Sequence, residues 1–483
     1  MFDKIKALSK ETLIYGTNTI IGRFLGFFLV PFYTNKFLPE EYGIIAIIYA
    51  YIAILNVFFS IGLESGYMKF SSTLEIGSKK ENFSNPFLLT FSNSLILACV
   101  LFFFSNELTY VFQIDVKFSY LIKYTSLILF FDAIVLIPFA YLRLHNKARS
   151  FAFIKITNIV VNVALNVILI LVYKMGIEAV FISNLVSSIL TFLMLIPVLL
   201  RNFTFQINKE LIKEIIRFSL PIIPAGIAAN IVQTISRPIL KYLTDDSVVG
   251  IYQASFRLGI LMMLIVSMFE FAWRPFFLNN AKEPNAKQVF SKVLTIFIIL
   301  TSFIFLTASV FIEDIVKLKL PFNIYLIGKP YWDGLSIVPV ILFSYLLYGI
   351  YINLMAGIYI EKKTKYLPLI TGLAAITNVI ANFILIPLYS YMGAAIATLL
   401  SYLVMMLSIY YFSQKYYPVN YEYKKIALIL LALGIVTSLY FFIINITFIP
   451  WYAKIIFPVL FTVLIISFKT LNVSSLRNLA GKN

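Results

Sequence analysis

The sequence predicts an all-α polytopic membrane protein of fourteen transmembrane helices, and three observations carry that prediction. Of its 483 residues, 61% are hydrophobic and only 13% are charged, whereas soluble chains run near a quarter charged and under half apolar. Apolar runs of about 20 residues recur from end to end, each long enough to cross a bilayer as a helix. One stretch of the first half also returns in the second, which sets how the helices group.

The runs fall at 12–34, 43–66, 86–104, 119–142, 152–173, 176–200, 217–240, 248–272, 289–311, 332–360, 366–388, 392–412, 426–446 and 451–468. The tenth exceeds one bilayer thickness and must tilt or extend beyond it. The leading MFDKIKALSKE is short and basic, the run after it exceeds a signal-peptide core, and no small-x-small cleavage site follows. A retained first helix is expected.

Orientation follows from the basic residues. With the N-terminus inside, the inner segments hold 26 of the 39 Lys and Arg, and the outer segments hold 8. The positive-inside rule therefore puts both termini in the cytoplasm. The formal net charge of +17 reflects this bias. No soluble segment approaches domain size, so a nucleic-acid partner is not expected. No GxxxxGK[ST] stretch occurs, so no P-loop harnesses ATP. The single Cys99 excludes an intramolecular disulfide and the single His145 excludes a multi-histidine metal site. No metal or organic cofactor is expected.

Lys147 to Tyr173, KARSFAFIKITNIVVNVALNVILILVY, aligns without gaps on Lys363 to Tyr389, KTKYLPLITGLAAITNVIANFILIPLY, with nine of 27 positions identical. The matches include Asn162/Asn378, Asn166/Asn382 and the closing Tyr173/Tyr389. A weaker pairing sets PFYTNKFLPEEYG from Pro31 against PILKYLTDDSVVG from Pro238, each placing Pro and Gly twelve apart. Glu64 then follows Gly43 by 21 residues, and Glu270 follows Gly250 by 20. Spans 1–6 and 7–12 therefore read as two copies of a six-helix unit. An even number of helices makes them parallel repeats, an arrangement suited to alternating access with a site between them near mid-membrane. The expected organisation is an N-terminal lobe at 1–205, a C-terminal lobe at 206–415, and two added helices with a tail at 416–483.

Five basic residues fall inside the spans, namely Arg23, Lys123, Lys155, Arg237 and Arg257, with four acids, Glu64, Asp132, Glu178 and Glu270. Arg23, Asp132 and Arg257 lie deepest. A charge at a helix centre costs about 2.5–3.5 kcal/mol, so three facing lipid would cost about 9 kcal/mol. They should face a wet interior or one another. Lys123, Lys155, Glu178 and Arg237 sit near helix ends, within snorkelling reach of the interface. Two readings stay open: Arg23 pairs with Asp132 to lock two helices, or cations from both copies line an aqueous site. Arginine's planar fork suits phosphate oxygens and keeps its charge when desolvated, so the second reading predicts a phosphate or pyrophosphate ligand. Arg23, Arg257, Arg237 and Lys155 are its candidate contacts. Glu64, Asp132 and Glu270 would balance charge, bind sugar hydroxyls or take up a coupling ion. The asparagine pairs at i, i+4 share a helix face and read first as interhelical glue.

The twelve-plus-two plan, the duplicated unit and the stretches Thr12–Ile48 and Asp246–Arg257 resemble the polysaccharide transporter (Wzx-like) flippases. The first stretch carries the Leu-Pro-x-(Glu/Asp)-Tyr-Gly turn, and the second carries Val-Gly-Ile-Tyr-Gln-Ala-Ser-Phe-Arg. Their superfamily includes lipid II flippases and MATE exporters. The resemblance implies a MATE-like fold and no enzymatic activity. It implies a bacterial cytoplasmic (inner) membrane location and alternating access coupled to H+ or Na+. The cargo it implies is an undecaprenyl-pyrophosphate-linked oligosaccharide for O-antigen, capsule or exopolysaccharide, with a polysaccharide polymerase and chain-length proteins as partners. A lipid II flippase, a MATE-type drug/ion antiporter and a membrane glycan polymerase are the alternatives. A polymerase should carry catalytic acids in a large outer loop, and 312–330 offers only Glu313 and Asp314.

Overall fold

The computed structural model describes residue 27, residues 29–320 and residues 324–468, and they divide into two compact units. One unit runs to Ala254 and takes in Asn378–Ala394. It contains α1 (29–36), α2 (Pro39–Ser60), α3 (Leu63–Thr73), α4 (Lys79–Phe103), α5 (Ser105–Phe112), α6 (Ser119–Ile134) and α7 (Leu136–Leu144). It continues through α8 (Ala148–Leu171), α9 (Glu178–Asn202), α10 (Lys209–Ser219), α11 (Ile222–Thr234), α12 (Ser236–Leu243) and most of α13 (Asp246–Leu258). The second unit comprises Ser255–Thr377 and the chain from Ala395 onward. Its helices are α14 (Ile260–Asn280), α15 (Ala286–Val316), α16 (Val338–Ile360), α17 (Leu367–Tyr416, shared with the first unit), α18 (Tyr423–Ile444) and α19 (Ile456–Ser467). Between α15 and α16 a two-residue antiparallel pair, β1 (Lys319–Leu320) with β2 (Ile324–Tyr325), is the one strand pairing among the described residues.

Helix starts follow the local chemistry. Pro39 opens α2, and Glu41 reaches back to accept the Leu38 N–H at 2.9 Å. Ser78 and Glu81 form a reciprocal cap on α4, satisfying amides that a helix leaves without intrahelical partners.

Among the described residues, ten helices, counted across short breaks, are long and apolar enough to cross a membrane. Thr364–Tyr416 is one of them at 53 residues, and it breaks at Ser390, where φ is 50°. It therefore holds both spans expected at 366–388 and 392–412. The expected spans at 217–240 and 248–272 come out differently. The first is divided among α10, α11 and α12, and the second breaks at Gly259 and continues to Asn280. Hydropathy sees the apolar runs but not these joints. The span at 12–34 lies largely outside the described residues. The span expected at 451–468 forms the shorter apolar helix Ala453–Ser467.

The duplication is written in the backbone. Asn146 (φ 56°) and Lys362 (φ 54°) precede the two copies of the repeated helix, and Lys174 (φ 54°) and Ser390 (φ 50°) follow them. All four are left-handed residues outside glycine, a conformation that non-glycine residues seldom adopt. The closing hydrogen bonds also correspond: Lys147 N–H donates to the Leu142 carbonyl and Lys363 N–H to the Ile358 carbonyl, both at 2.8 Å. This is the helix-ending motif in which an amide reaches back five residues to an orphan carbonyl. The repeat thus extends at least five residues upstream of its sequence match.

The weaker pairing has a structural counterpart as well. The first turns of α2 and α13 cross so closely that a Cβ on Gly43 would meet the Asp246 carbonyl oxygen. A Cβ on Gly250 would meet the Pro39 carbonyl oxygen. The contact is reciprocal, Gly43 and Pro39 answering to Gly250 and Asp246, and only glycine allows backbones this near.

Candidate functional site

The candidate residues fall into repeat-related polar clusters. In the first unit an open cavity of about 350 Å³ is lined by Asn56 and Ser60 of α2, Glu64 of α3, Leu136 of α7 and Asn230 of α11, among others. The break at Ile61–Gly62, both left-handed, ends α2 and sets Glu64 in the first turn of α3. Glu64 forms an ion pair with Arg143 in the last turn of α7, the side chains being 29% and 35% exposed. Lys155 of α8 lies within electrostatic reach of both Arg143 and Asp132, and its ammonium stands 4.4 Å from the Phe139 ring centroid. Asp132 of α6 accepts a hydrogen bond from the Ser188 hydroxyl of α9 at 2.7 Å. Two carboxylates and two cations thus share one network. Burial of charge is tolerable when each group keeps a counter-charge and hydrogen bonds.

The second cluster uses equivalent positions differently. Glu270 and Arg274 stand one turn apart on α14 and line a slot of about 10 Å³, space for a single water. The slot is completed by Trp273, Phe277, Ile352, Met355 and Tyr359. Arg274 Nη2 donates to the Tyr359 hydroxyl at 3.0 Å, and its guanidinium sits 5.0 Å from that ring centroid. The offset of 216 that relates Lys147 to Lys363 makes Tyr359 the counterpart of Arg143. The cation rides on α7 in one copy and on α14 in the other.

The remaining candidates lie elsewhere. Arg237 on α12 is buried at 7% exposure; its Nε donates to Gln253 Oε1 at 2.5 Å and its Nη1 to the Gln233 carbonyl at 2.8 Å. Arg257, in the last turn of α13, is exposed and makes no hydrogen bond or ion pair with the described residues. Arg23 lies outside the described residues. Within the first unit the structure brings Glu64, Asp132 and Lys155 into one network and gives Arg237 other partners, while Glu270 and Arg257 belong to the second unit. Arg143 and Arg274 were not singled out by the sequence, because each falls one or two residues past an expected span. Extending the repeat upstream to the Arg143/Tyr359 position would have flagged the first.

The asparagine pairs repeat their geometry too. The Asn166 amide donates to the Asn162 carbonyl at 2.9 Å, and the Asn382 amide donates to the Asn378 carbonyl at 2.8 Å. Their third partners differ. The Tyr33 hydroxyl donates to Asn166 Oδ1 at 2.7 Å, whereas the Asn382 amide donates to the Ser236 hydroxyl at 3.2 Å and Asn382 Oδ1 has no hydrogen-bond partner among the described residues.

A family model described as "Polysaccharide biosynthesis protein" matches residues 37–320. Among curated proteins, none matches the sequence significantly. Among solved structures, a lipid II flippase MurJ in an inward closed conformation is similar with a TM-score of 0.74 at 18% identity, covering 96% of this chain and 99% of its own. An inward-facing multidrug resistance MATE transporter of the MOP superfamily is similar with a TM-score of 0.65 at 14% identity, covering 81% and 94%. A MOP superfamily transporter from Pyrococcus furiosus, whose binding pocket has reversed polarity, gives 0.59 at 13%, covering 84% and 95%. The fold is the one these transporters share.

Proposed function

Because this chain belongs to the polysaccharide biosynthesis protein family, we propose that it is a flippase for undecaprenyl-pyrophosphate-linked oligosaccharide repeat units, working by alternating access. The observation that carries this reading is the combination of that family with the fold of a lipid-linked glycan flippase along nearly the whole chain. The family and the structural neighbours are membrane transporters, which argues against an enzymatic reaction at the site. The proposed location is the bacterial cytoplasmic membrane with both termini inside.

In this reading the pyrophosphate is the part of the cargo that hydrocarbon rejects, and guanidinium and ammonium groups compensate it during passage. Arg23 and Arg257 are proposed to meet it, with Arg237 and Lys155 as further cationic contacts. The network around Glu64 suggests how cargo and ion are coupled. An anion drawn to Arg143 and Lys155 competes with Glu64 and Asp132 for their counter-charges. A carboxylate that loses its counter-charge inside a membrane favours its neutral form. Cargo binding would then favour proton uptake at Glu64 or Asp132, with Glu270 a further candidate, and Na+ would serve as the alternative counter-charge.

The reading is tested by deleting the gene and analysing lipid-linked sugars by leaflet. Accumulation of undecaprenyl-linked oligosaccharide on the cytoplasmic side, reversed by the intact gene but not by Arg23→Ala with Arg257→Ala, is expected. Normal export in the deletion strain would refute it.

A further inference from the structure

The turn that precedes the second copy of the repeated helix carries a group of lysines, and their charge is gathered. Its left-handed residue, Lys362, ends α16 and turns the chain into Lys363, Thr364, Lys365 and Tyr366 just ahead of α17. The Tyr366 ring stacks on Phe412 (centroids 4.5 Å apart) and on Tyr416 (5.4 Å), both from the last turns of α17. The two tyrosine hydroxyls are hydrogen-bonded at 2.6 Å. Three ammonium groups stand against this stack: Lys363 is 5.2 Å and Lys415 5.7 Å from the Tyr416 centroid, and Lys365 is 5.4 Å from that of Tyr366.

None of the three lysines has a carboxylate within ion-pair distance among the described residues. An aromatic face holds a cation by about 0.5–1 kcal/mol at an exposed site but leaves its charge uncompensated. Lys363 and Lys415 share one ring, so their charges lie within roughly one Debye length, ~10 Å at 0.1 M salt. Three like charges that merely solvated a helix end would splay apart on their long stems. Here the rings hold them together. The hydroxyl pair adds a donor, because one of its two protons bridges the oxygens and the other is left to point outward.

The first copy lacks this arrangement at the same turn. Lys147 answers to Lys363 and also meets a tyrosine, Tyr141 at 5.2 Å, but Ser150 stands where Tyr366 does. Arg143, four residues before Lys147, is tied to Glu64. The platform belongs to the second copy alone.

We propose that Lys363, Lys365 and Lys415, with the hydroxyls of Tyr366 and Tyr416, bind a phosphate-bearing headgroup where α17 begins and ends. Three ammonium groups and a hydroxyl supply charge-assisted and neutral donors for the acceptor oxygens of a phosphoryl group. The chain breaks at Ser390, so the two ends of the apolar segment Thr364–Tyr416 come together at the platform, and the ends of an apolar hairpin of this length fall at the headgroup level of a bilayer. The phosphate has two sources, the acidic phospholipids of the bilayer or a prenyl pyrophosphate. The anion site itself does not depend on the transport reading.

The full-length protein in nanodiscs separates the sources. Inorganic pyrophosphate and geranyl pyrophosphate are titrated by equilibrium dialysis, and retained phosphatidylglycerol is counted by native mass spectrometry against phosphatidylcholine. The Lys363→Gln/Lys365→Gln/Lys415→Gln variant is expected to bind at least tenfold more weakly to whichever probe the site takes. The corresponding Lys→Arg variant should stay within about threefold, and Tyr366→Phe/Tyr416→Phe should lose a smaller factor. Loss confined to phosphatidylglycerol assigns the site to bilayer lipid, and loss on the pyrophosphates assigns it to a diphosphate headgroup. Unchanged binding of all three probes in the triple Gln variant overturns the proposal. The exposed Lys365→Gln change alone repeats the test without disturbing the fold.

Discussion

The two copies of the repeat share a backbone and differ in what they do with charge. In the first, Glu64 and Arg143 meet across α3 and α7 beside a cavity of about 350 Å³. In the second, Tyr359 occupies the position of Arg143, the arginine stands on α14, and the two line a slot of about 10 Å³. Duplication preserved what the main chain dictates: the left-handed residues, the helix-ending hydrogen bonds and the glycine crossing. The side chains beside those features diverged. The charged side chains beside these features therefore belong to the individual copy rather than to the shared backbone.

The strongest way to break this comparison is at the features the copies share. Gly43→Ala and Gly250→Ala each drive a methyl group into a carbonyl oxygen of the partner helix, and a backbone cannot rotate away. Each should cost about 3 kcal/mol, read as similar drops in apparent Tm of the purified protein. A large drop for one and none for the other would deny the reciprocity. Next comes the charge that differs. Arg143→Ala strands Glu64 and should cost about 2 kcal/mol, the value for a buried pair reduced because both side chains are about one-third exposed. Adding Glu64→Gln should restore most of it. Tyr359→Phe at the equivalent position removes one hydrogen bond and should cost only about 1 kcal/mol. Equal losses would mean that the two clusters do the same work.

The asparagines sharpen the contrast further. Asn166→Ala removes an amide together with the hydrogen bond it accepts from the Tyr33 hydroxyl, an expected loss of about 1–2 kcal/mol. Asn382→Ala removes an amide that meets Asn378 and Ser236, but an oxygen with no partner among the described residues, so a smaller loss should appear in the same thermal assay. The smallest effect lies outside both copies. Burial opposes ionisation of Glu422, but hydrogen bonds from Lys425 at 2.6 Å and Thr295 at 2.7 Å outweigh it and hold its carboxyl below the ordinary 4.5. A depressed carboxyl stabilises the fold above that range, and the contribution fades as pH falls through it. Glu422→Gln should flatten this part of the pH–stability curve in variants of either copy.

Much of the architecture was legible because bilayer physics writes it in composition. Uninterrupted apolar runs located the helices, and nine identities in 27 residues exposed the duplication. The joints were not legible. Ile61, Val135 and Ile235 break or end helices while remaining as apolar as their neighbours, and hydropathy cannot see a backbone angle. Charges were found only where they fell inside a run. Glu64 and Asp132 were singled out, but Arg143, the partner of Glu64, sits one residue past an expected span end and read as an ordinary loop cation. Arg237 is a different case: it was a candidate contact near a helix end, and its hydrogen bonds to Gln233 and Gln253 are set by folding that no local pattern announces.

The central claim is transport, and it is tested most directly in proteoliposomes. A fluorescent undecaprenyl-pyrophosphate oligosaccharide is placed in both leaflets, and the outer label is quenched by a membrane-impermeant reductant. With the wild-type protein, the label protected in the inner leaflet should become accessible within minutes, faster under a proton or sodium gradient, and Arg143→Ala should abolish the effect. Protected label that stays protected at the rate of protein-free vesicles, with the wild-type chain folded and a gradient imposed, would contradict the account.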